Sequence, residues 1–181
     1  MKFDQSTAIC HVFIYKEGLL SAFGHDLRIA VTSFIVEVAD DARAVRARFD
    51  AGSLHVDCAM IDGVAQPNTL TASDKKEIDK NIIKNVLDTD TFKDIVLDSS
   101  SVTKGNSSYN VRAALTLHGR TREISLPVRK EDDYHIADFW LHLPDFGIKP
   151  FSAFFGTLKI KPDILVRVMI PDNHDEKGFS L

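Results

Sequence analysis

The stretch LTLHGRTREISLPV, residues 115–128, places a histidine, two arginines and a glutamate around one glycine, between two apolar runs. A glycine between two alternating segments favours a β-hairpin. Gly119 and Arg120 as the central pair predict a type II′ turn, because glycine readily takes the positive φ that this turn needs at its first central position. The charged residues are therefore interpreted as the flanks of a turn and not as an active site.

The predicted turn fixes the pairing of the two strands, because a slip of one residue would move every side chain to the other face. The predicted pairs are His118 with Thr121, Leu117 with Arg122, Thr116 with Glu123, Leu115 with Ile124, Ala113 with Leu126 and Val111 with Val128. One face is then apolar, and His118 and Glu123 face solvent. Arg122 breaks the apolar face. Either its stem packs on Leu117 at the rim, or it meets the polar head of an apolar ligand.

Most of the remaining chain has the alternation of β-strands. Residues 27–38 are apolar on both faces, which is typical of a strand covered on both sides. The predicted strand-like segments are residues 8–15, 27–38, 44–52, 53–60, 94–102, 109–119, 121–130, 134–143, 154–161 and 163–170. About eight strands at this spacing predict a mainly β protein, an antiparallel barrel or sandwich.

Residues 71–92 are the exception. The residues at helical spacing are Ile78, Ile82, Ile83, Val86 and Leu87, with lysines and an aspartate opposite. Either Thr71 or Ser73 is suited to the N-cap. One amphipathic helix in a β protein needs an apolar place to lie, and we expect this helix to pack at one end of the barrel.

The composition excludes several classes of protein. The 181 residues, 44% of them hydrophobic, predict a single domain spanning residues 1–181. The net charge of −4, with no basic run, argues against a nucleic-acid partner. No transmembrane segment and no signal peptide are recognised, which predicts a cytoplasmic protein, or a periplasmic one if a leader was removed. We expect Cys10 and Cys58 to be buried reduced thiols, although a disulfide between them is an alternative.

No catalytic constellation is found. His25 and Asp26 are adjacent residues of the type that acts in general-base catalysis, but they are better interpreted as a turn before a strand. The seven histidines lack metal-ligand spacing, so neither a metal nor a cofactor is expected. Phenylalanines instead recur on the apolar faces of the strands. A barrel of about eight strands can be filled or can hold one ligand, so an apolar cavity is the leading candidate site.

Residues 111–128, VRAALTLHGRTREISLPV, resemble the glycine-centred hairpin of the YceI-like family, the polyisoprenoid-binding, lipocalin-like barrels. Residues 86–102, DFGI at 145–148 and the closing 156–170 also resemble this family, and 24–38 does so more loosely. The resemblance implies an antiparallel barrel with a helix at one end and an elongated apolar cavity. It further implies an isoprenoid ligand, such as a polyprenyl or quinone tail, and a protein that is often exported and often dimeric.

We therefore expect a non-enzymatic protein that binds a long apolar ligand, an isoprenoid, a quinone-type lipid or a fatty acid. The expected ligand-binding residues are Phe13, Phe34, Phe49, Ile82, Val86, Leu115, Leu117, Arg122, Ile124, Leu126, Phe139, Phe154, Val166 and Val168. The alternative is a filled barrel that binds a protein partner, or a second copy of the chain as a homodimer, through outward residues. Those residues are Trp140, Phe155, Leu165 and Met169. An enzyme that uses His25 and Asp26 is the weakest interpretation.

Overall fold

The computed structural model describes residues 1–17, 24–106, 108–153 and 158–172, and these residues are mainly antiparallel β-strand. The strands are β1 (Lys2–Asp4), β2 (Ile9–Ile14), β3 (Lys16–Glu17), β4 (Asp26–Val31), β5 (Phe34–Val38), β6 (Val45–Asp50), β7 (Leu54–Ile61), β8 (Val64–Gln66), β9 (Asp94–Lys104), β10 (Ser108–Leu117), β11 (Arg120–Glu131), β12 (Tyr134–His142), β13 (Ser152–Ala153), β14 (Leu158–Ile160) and β15 (Asp163–Pro171). Strands β3, β13 and β14 form a small separate sheet.

The barrel wall has eight positions, each of which we call an arm. Five arms are the single strands β9, β10, β11, β12 and β15. Each of the other three arms consists of two strands separated by an interruption. These arms are β1 with β2, β4 with β5, and β6 with β7. The first arm pairs with the second at both levels, through β1 with β5 and β2 with β4. Pairing continues from β6 through β9, β10, β11, β12 and β15 back to β2. The prediction of a mainly β, antiparallel barrel-like fold with one helix is confirmed, whereas the number of strands differs from the predicted eight or so because several arms are interrupted.

The apolar pattern of residues 27–38 has a different cause from the one predicted. This segment is not one strand covered on both faces, because it bends at Thr32 and Ser33. Before the bend the buried side chains are Ile29 and Val31, and after it they are Phe34 and Val36. The inward face therefore changes from odd to even numbers, and both faces appear apolar in the sequence.

The neighbouring arm bends at the same level. A 3₁₀ turn at Ala51–Ser53 separates β6 from β7. The Ser53 hydroxyl accepts a hydrogen bond from the Ser33 amide at 3.1 Å and lies 2.7 Å from the Asp50 carbonyl, to which it donates. This buried side chain supplies the hydrogen bonds that the strand ladder lacks at the bend, as a buried polar group requires.

The hairpin between β10 and β11 forms, but its predicted turn and register are wrong. Leu117 pairs with Arg120, so the two central residues are His118 and Gly119, and both have positive φ, 51° and 70°. This combination is that of a type I′ turn, which matches the strand twist. All pairs are displaced by two residues, so that Arg122 faces Leu115. Because the displacement is even, the apolar face survives.

Gly119 is required for space as well as for φ. A Cβ atom at this position would lie 2.7 Å from the Phe92 ring. That ring also packs on His118, with 4.1 Å between the ring centroids. The turn is therefore held against the segment that follows the helix.

The barrel wall contains a seam between β11 and β12. These strands pair only from Val128 to Glu131 on β11, and the rest of β11 has no strand partner on that side among the described residues. The 3₁₀ turn Leu143–Phe146 lies next to β11 here. Phe146 is 2% exposed and Ile148 is 1% exposed, so their side chains fill the seam.

Helix α1 (Ala72–Lys80) continues as a π-helical turn, Asn81–Val86. Thr71 is the N-cap and forms a capping box with Asp74. Asp79 accepts a hydrogen bond from the Val56 amide at 2.7 Å, and Lys75 donates to the Asp57 carbonyl at 2.6 Å. The helix thereby covers the part of the β7 edge that β8 does not pair with.

The cap provides a test of the helix start. Replacing Thr71 with alanine removes the hydroxyl that accepts a hydrogen bond from the Asp74 amide, while the bond from the Thr71 amide to the Asp74 carboxylate remains. This change is expected to lower the free energy of unfolding by about 1 kcal/mol. Ser73→Ala, in the first turn, is the matched control and is expected to change it by less than about 0.5 kcal/mol. Urea unfolding measures both. Equal losses would contradict the assignment of Thr71 as the cap.

Candidate functional site: an apolar cavity in the barrel

The barrel encloses a cavity of about 360 Å³. This volume is within the range of roughly 300–1,000 Å³ that is usual for small-molecule sites. Almost every side chain that lines it is apolar. Mid-depth, it is lined by residues of facing arms, among them Cys10, Val12, Val36, Ala47, Leu97, Val111 and Val166.

The two ends of the cavity differ in burial. At one end most of the lining residues are buried. Leu87, which follows the helix, and Leu143, from the turn beside the seam, contribute there. At the other end the lining residues are half-buried or exposed. These are Met1, Val38, Ala42, Val45, Val102, Tyr109, Val128, His135, Ile170, Pro171 and Asp172. This second end is the mouth of the cavity.

Seven of the fourteen predicted ligand-binding residues line the cavity. They come from five different strands, so the fold brings together residues that are distant in sequence. They are Phe49, Leu115, Leu117, Leu126, Phe139, Val166 and Val168. Their role in binding stays a prediction.

Two predicted aromatic residues do not line the cavity. Phe13 is on the outer face of β2, where the guanidinium of Arg167 lies 5.8 Å from its ring centroid. Cys10 and Val12 are the inward residues of that strand. The alternation of β2 was therefore assigned to the wrong face. Phe34 is buried in the core and stacks on Phe49 at 5.7 Å.

Three further predicted residues pack against the core without lining the cavity. Ile82 is buried, while Val86 and Ile124 are partly buried against the core cluster. Leu87 reaches the cavity in place of Ile82 and Val86, because the π-helical turn rotates the helix before its end. Phe154, and Phe155 on the predicted outer face, lie outside the described residues.

Arg122 lies outside the cavity and far from its mouth. It is next to the β10–β11 turn, at the closed end of the barrel, and its side chain is exposed. Its guanidinium donates a hydrogen bond to the Thr121 carbonyl at 3.0 Å. Of the two interpretations of Arg122, this position favours the one in which the guanidinium reaches water at the rim.

The polar residues that do line the cavity were not predicted. They are Tyr109, His135 and Asp172, which lie together at the mouth. The His135 and Tyr109 rings pack edge to face with 5.9 Å between centroids. His135 Nε2 lies 3.1 Å from Asp172 Oδ1, and Lys130 forms an ion pair with the same carboxylate. Extending the alternation of Phe139 and Ala137 back along β12 would have placed His135 inward.

The remaining polar candidates are separate from the cavity. Asp26 accepts a hydrogen bond from the Lys16 amide at 2.9 Å, which is a structural role at the start of β4. Across the described ranges, no group of three histidine, cysteine or acidic residues is placed to hold a metal. Cys10 and Cys58 are buried and free, as predicted. Burial raises the pKa of the Cys10 thiol to about 12, so this lining residue is uncharged at neutral pH.

The outer face carries one exposed aromatic patch. Trp140 is 59% exposed and stacks on Tyr15 with 5.6 Å between ring centroids. Leu165 faces Trp140 across the β12–β15 ladder and is half-buried, as is Met169. The predicted outward orientation of Trp140 is confirmed.

No helix among the described residues has the length and apolar character needed to cross a membrane.

The fold is similar to several solved structures. One is Burkholderia cenocepacia BcnA, with 13% sequence identity, a TM-score of 0.63, and coverage of 92% of this chain and 97% of that chain. A Campylobacter jejuni YCEI protein has 14% identity and a TM-score of 0.49 over 67% of this chain and 71% of that one. A polyisoprenoid binding domain from Saccharophagus degradans has 11% identity and a TM-score of 0.46 over 91% of this chain and 94% of that one.

No curated protein sequence matches the chain. A family model described as the YceI-like domain matches residues 22–170, which include the helix and every arm of the barrel except the first. The chain therefore belongs to the YceI-like domain family.

Proposed function

We propose that this protein binds one long apolar molecule inside its barrel, without catalysing a reaction on it. The observation that carries the proposal is the cavity, which is apolar along its length and opens at one end. The membership of the YceI-like domain family agrees with this proposal. An isoprenoid is the proposed ligand, and a fatty acid is the alternative.

The lining explains how such a ligand would be held. Each methylene group moved from water into the cavity contributes about 0.8 kcal/mol, so a chain of ten or more carbon atoms needs few polar contacts for tight binding. Because this contribution depends on buried area, the wall itself discriminates poorly between chains of similar length. Selectivity must then come from the shape of the cavity and from the polar residues at its mouth.

Native mass spectrometry of the purified protein tests the proposal. After extraction with organic solvent and refolding, we expect the protein to take up one molecule of added farnesol, an isoprenoid alcohol, per chain. Palmitic acid, offered at the same concentration, distinguishes the isoprenoid from the fatty acid. The proposal would be contradicted if the protein takes up neither farnesol nor palmitic acid and carries no lipid when first purified.

An interaction through the outer face is the second candidate. It is favoured by the exposure of Trp140 and by its stacking on Tyr15, since an exposed aromatic pair is typical of protein interfaces. The same mass spectra report the oligomeric state. A homodimer that Trp140→Ala converts to a monomer would support this face as its interface.

A further inference from the structure

His135 presents an unsatisfied hydrogen-bonding atom at the mouth of the cavity. Its Nδ1 atom is buried, and no hydrogen-bond partner for it exists among the described residues. The side chain as a whole is 27% exposed, so the ring is held at the boundary between the cavity and solvent. A buried polar atom without a partner is unfavourable, and a bound molecule that pairs with it recovers this cost.

The neighbouring carboxylate determines what kind of partner this atom needs. Asp172 Oδ1 lies 3.1 Å from Nε2, and a carboxylate that is also paired with Lys130 can only accept a hydrogen bond. Nε2 must therefore carry the proton. In neutral histidine the other nitrogen then has a free lone pair, so Nδ1 is an acceptor.

This inference rests on the proposed function and defines the ligand more closely. We propose that the apolar ligand ends in a hydrogen-bond donor, a hydroxyl group, which donates to Nδ1 of His135 while its chain fills the barrel. A quinone, an ether or an ester has only acceptor oxygens. Such a head group would leave Nδ1 without a partner and would place two lone pairs against each other.

A pair of probes that differ only at the hydroxyl group tests the proposal. Farnesol donates a hydrogen bond, and farnesyl methyl ether, with the same chain, cannot. Dissociation constants for both are measured by displacement of the fluorescent apolar dye N-phenyl-1-naphthylamine. We expect the wild-type protein to bind farnesol about tenfold more tightly than the ether, a difference of about 1.4 kcal/mol.

The variant His135→Leu keeps an apolar side chain at the mouth and removes the acceptor. We expect the ratio of the two dissociation constants to fall to about one. His142→Leu is the matched control, because His142 is on the same strand and also pairs with an aspartate, Asp163, at 2.8 Å. It lies outside the cavity, so this variant should keep the tenfold ratio. Comparing this ratio between the three proteins removes any effect of the added methyl group that is common to all of them.

A second measurement needs no variant. The ¹⁵N resonance of His135 Nδ1, assigned in the wild-type protein, is expected to shift on addition of farnesol and not on addition of the ether. Equal affinity for both probes, or equal shifts, would overturn the inference and leave the proposed function intact. Failure of both probes to bind would overturn the proposed function, and this inference with it.

Discussion

Replacing Ala47 with tryptophan is expected to weaken the binding of farnesol by about a thousandfold. Ala47 lines the cavity at mid-depth, between Val36 and Leu97 of the adjacent strands. An indole ring there takes space that about five methylene groups of a ligand would use. At about 0.8 kcal/mol each, this loss is close to 4 kcal/mol, or nearly three factors of ten. Dye displacement measures it.

Arg46→Trp is the matched control for this substitution. Arg46 is the preceding residue of β6, it faces solvent, and it forms an ion pair with Asp98 at 3.3 Å. Exposed pairs of this kind contribute about 0–1 kcal/mol, so this variant should fold and bind farnesol as the wild type does. Ala137→Trp, nearer the mouth, provides a second block if the first destabilises the core. A folded Ala47→Trp protein with unchanged affinity would show that farnesol does not occupy the cavity.

Replacing Ile148 with alanine is expected to lower the free energy of unfolding by about 2–5 kcal/mol. Ile148 is 1% exposed, and its amide donates to the Leu143 carbonyl at 3.1 Å, at the end of the turn that fills the seam. The truncation leaves a void that the surrounding strands cannot close. For a chain of this length the melting temperature should fall by roughly 4–20 °C.

The same substitution at Ile61 is the control, because Ile61 is 46% exposed at the β7–β8 turn. The free energy of unfolding of Ile61→Ala should lie within about 0.5 kcal/mol of the wild-type value, as is usual for exposed positions. Thermal unfolding followed by circular dichroism compares the two variants directly. If Ile148→Ala melts at the same temperature as Ile61→Ala, the turn does not contribute to the core.

The architecture could be predicted because alternation depends only on which face of each strand is buried. The inward positions Val45, Ala47 and Phe49 follow directly from the arginines between them. The predicted hairpin register was wrong by two residues, but the inward side chains were still identified correctly, since an even displacement preserves the face. The helix cap was recoverable for a similar reason: Thr71 and Asp74 are close in sequence, and their interaction is local.

Other features depend on contacts that the sequence does not mark. Phe13 and Val12 are both apolar neighbours, so nothing local shows that Val12 is the inward residue. The bend at Thr32 and Ser33 is stabilised by Ser53, a residue twenty positions away from Ser33. The π-helical turn that directs Leu87 into the cavity has no simple sequence signature. The first and last of these features decide where Phe13, Ile82 and Val86 lie.

His135 was missed for a different reason. The inward faces were predicted from apolar side chains, so a histidine at the start of β12 was not placed inward. Its inward position follows from parity with Ala137 and Phe139, but its partner, Asp172, lies after the last strand and pairs with it only in the folded barrel. Local periodicity can therefore locate the wall of such a cavity more readily than its chemical selectivity.

The seam between β11 and β12 has a consequence for the size of molecule that the cavity can hold. Around most of the barrel, neighbouring strands are joined by backbone hydrogen bonds, which fix the spacing between strands at about 4.8 Å. Along the seam that spacing is replaced by the side chains of Phe146 and Ile148. The girth of the barrel at this level is thus set by side-chain volume. A substitution at Phe146 or Ile148 would change this girth without altering the register of any strand.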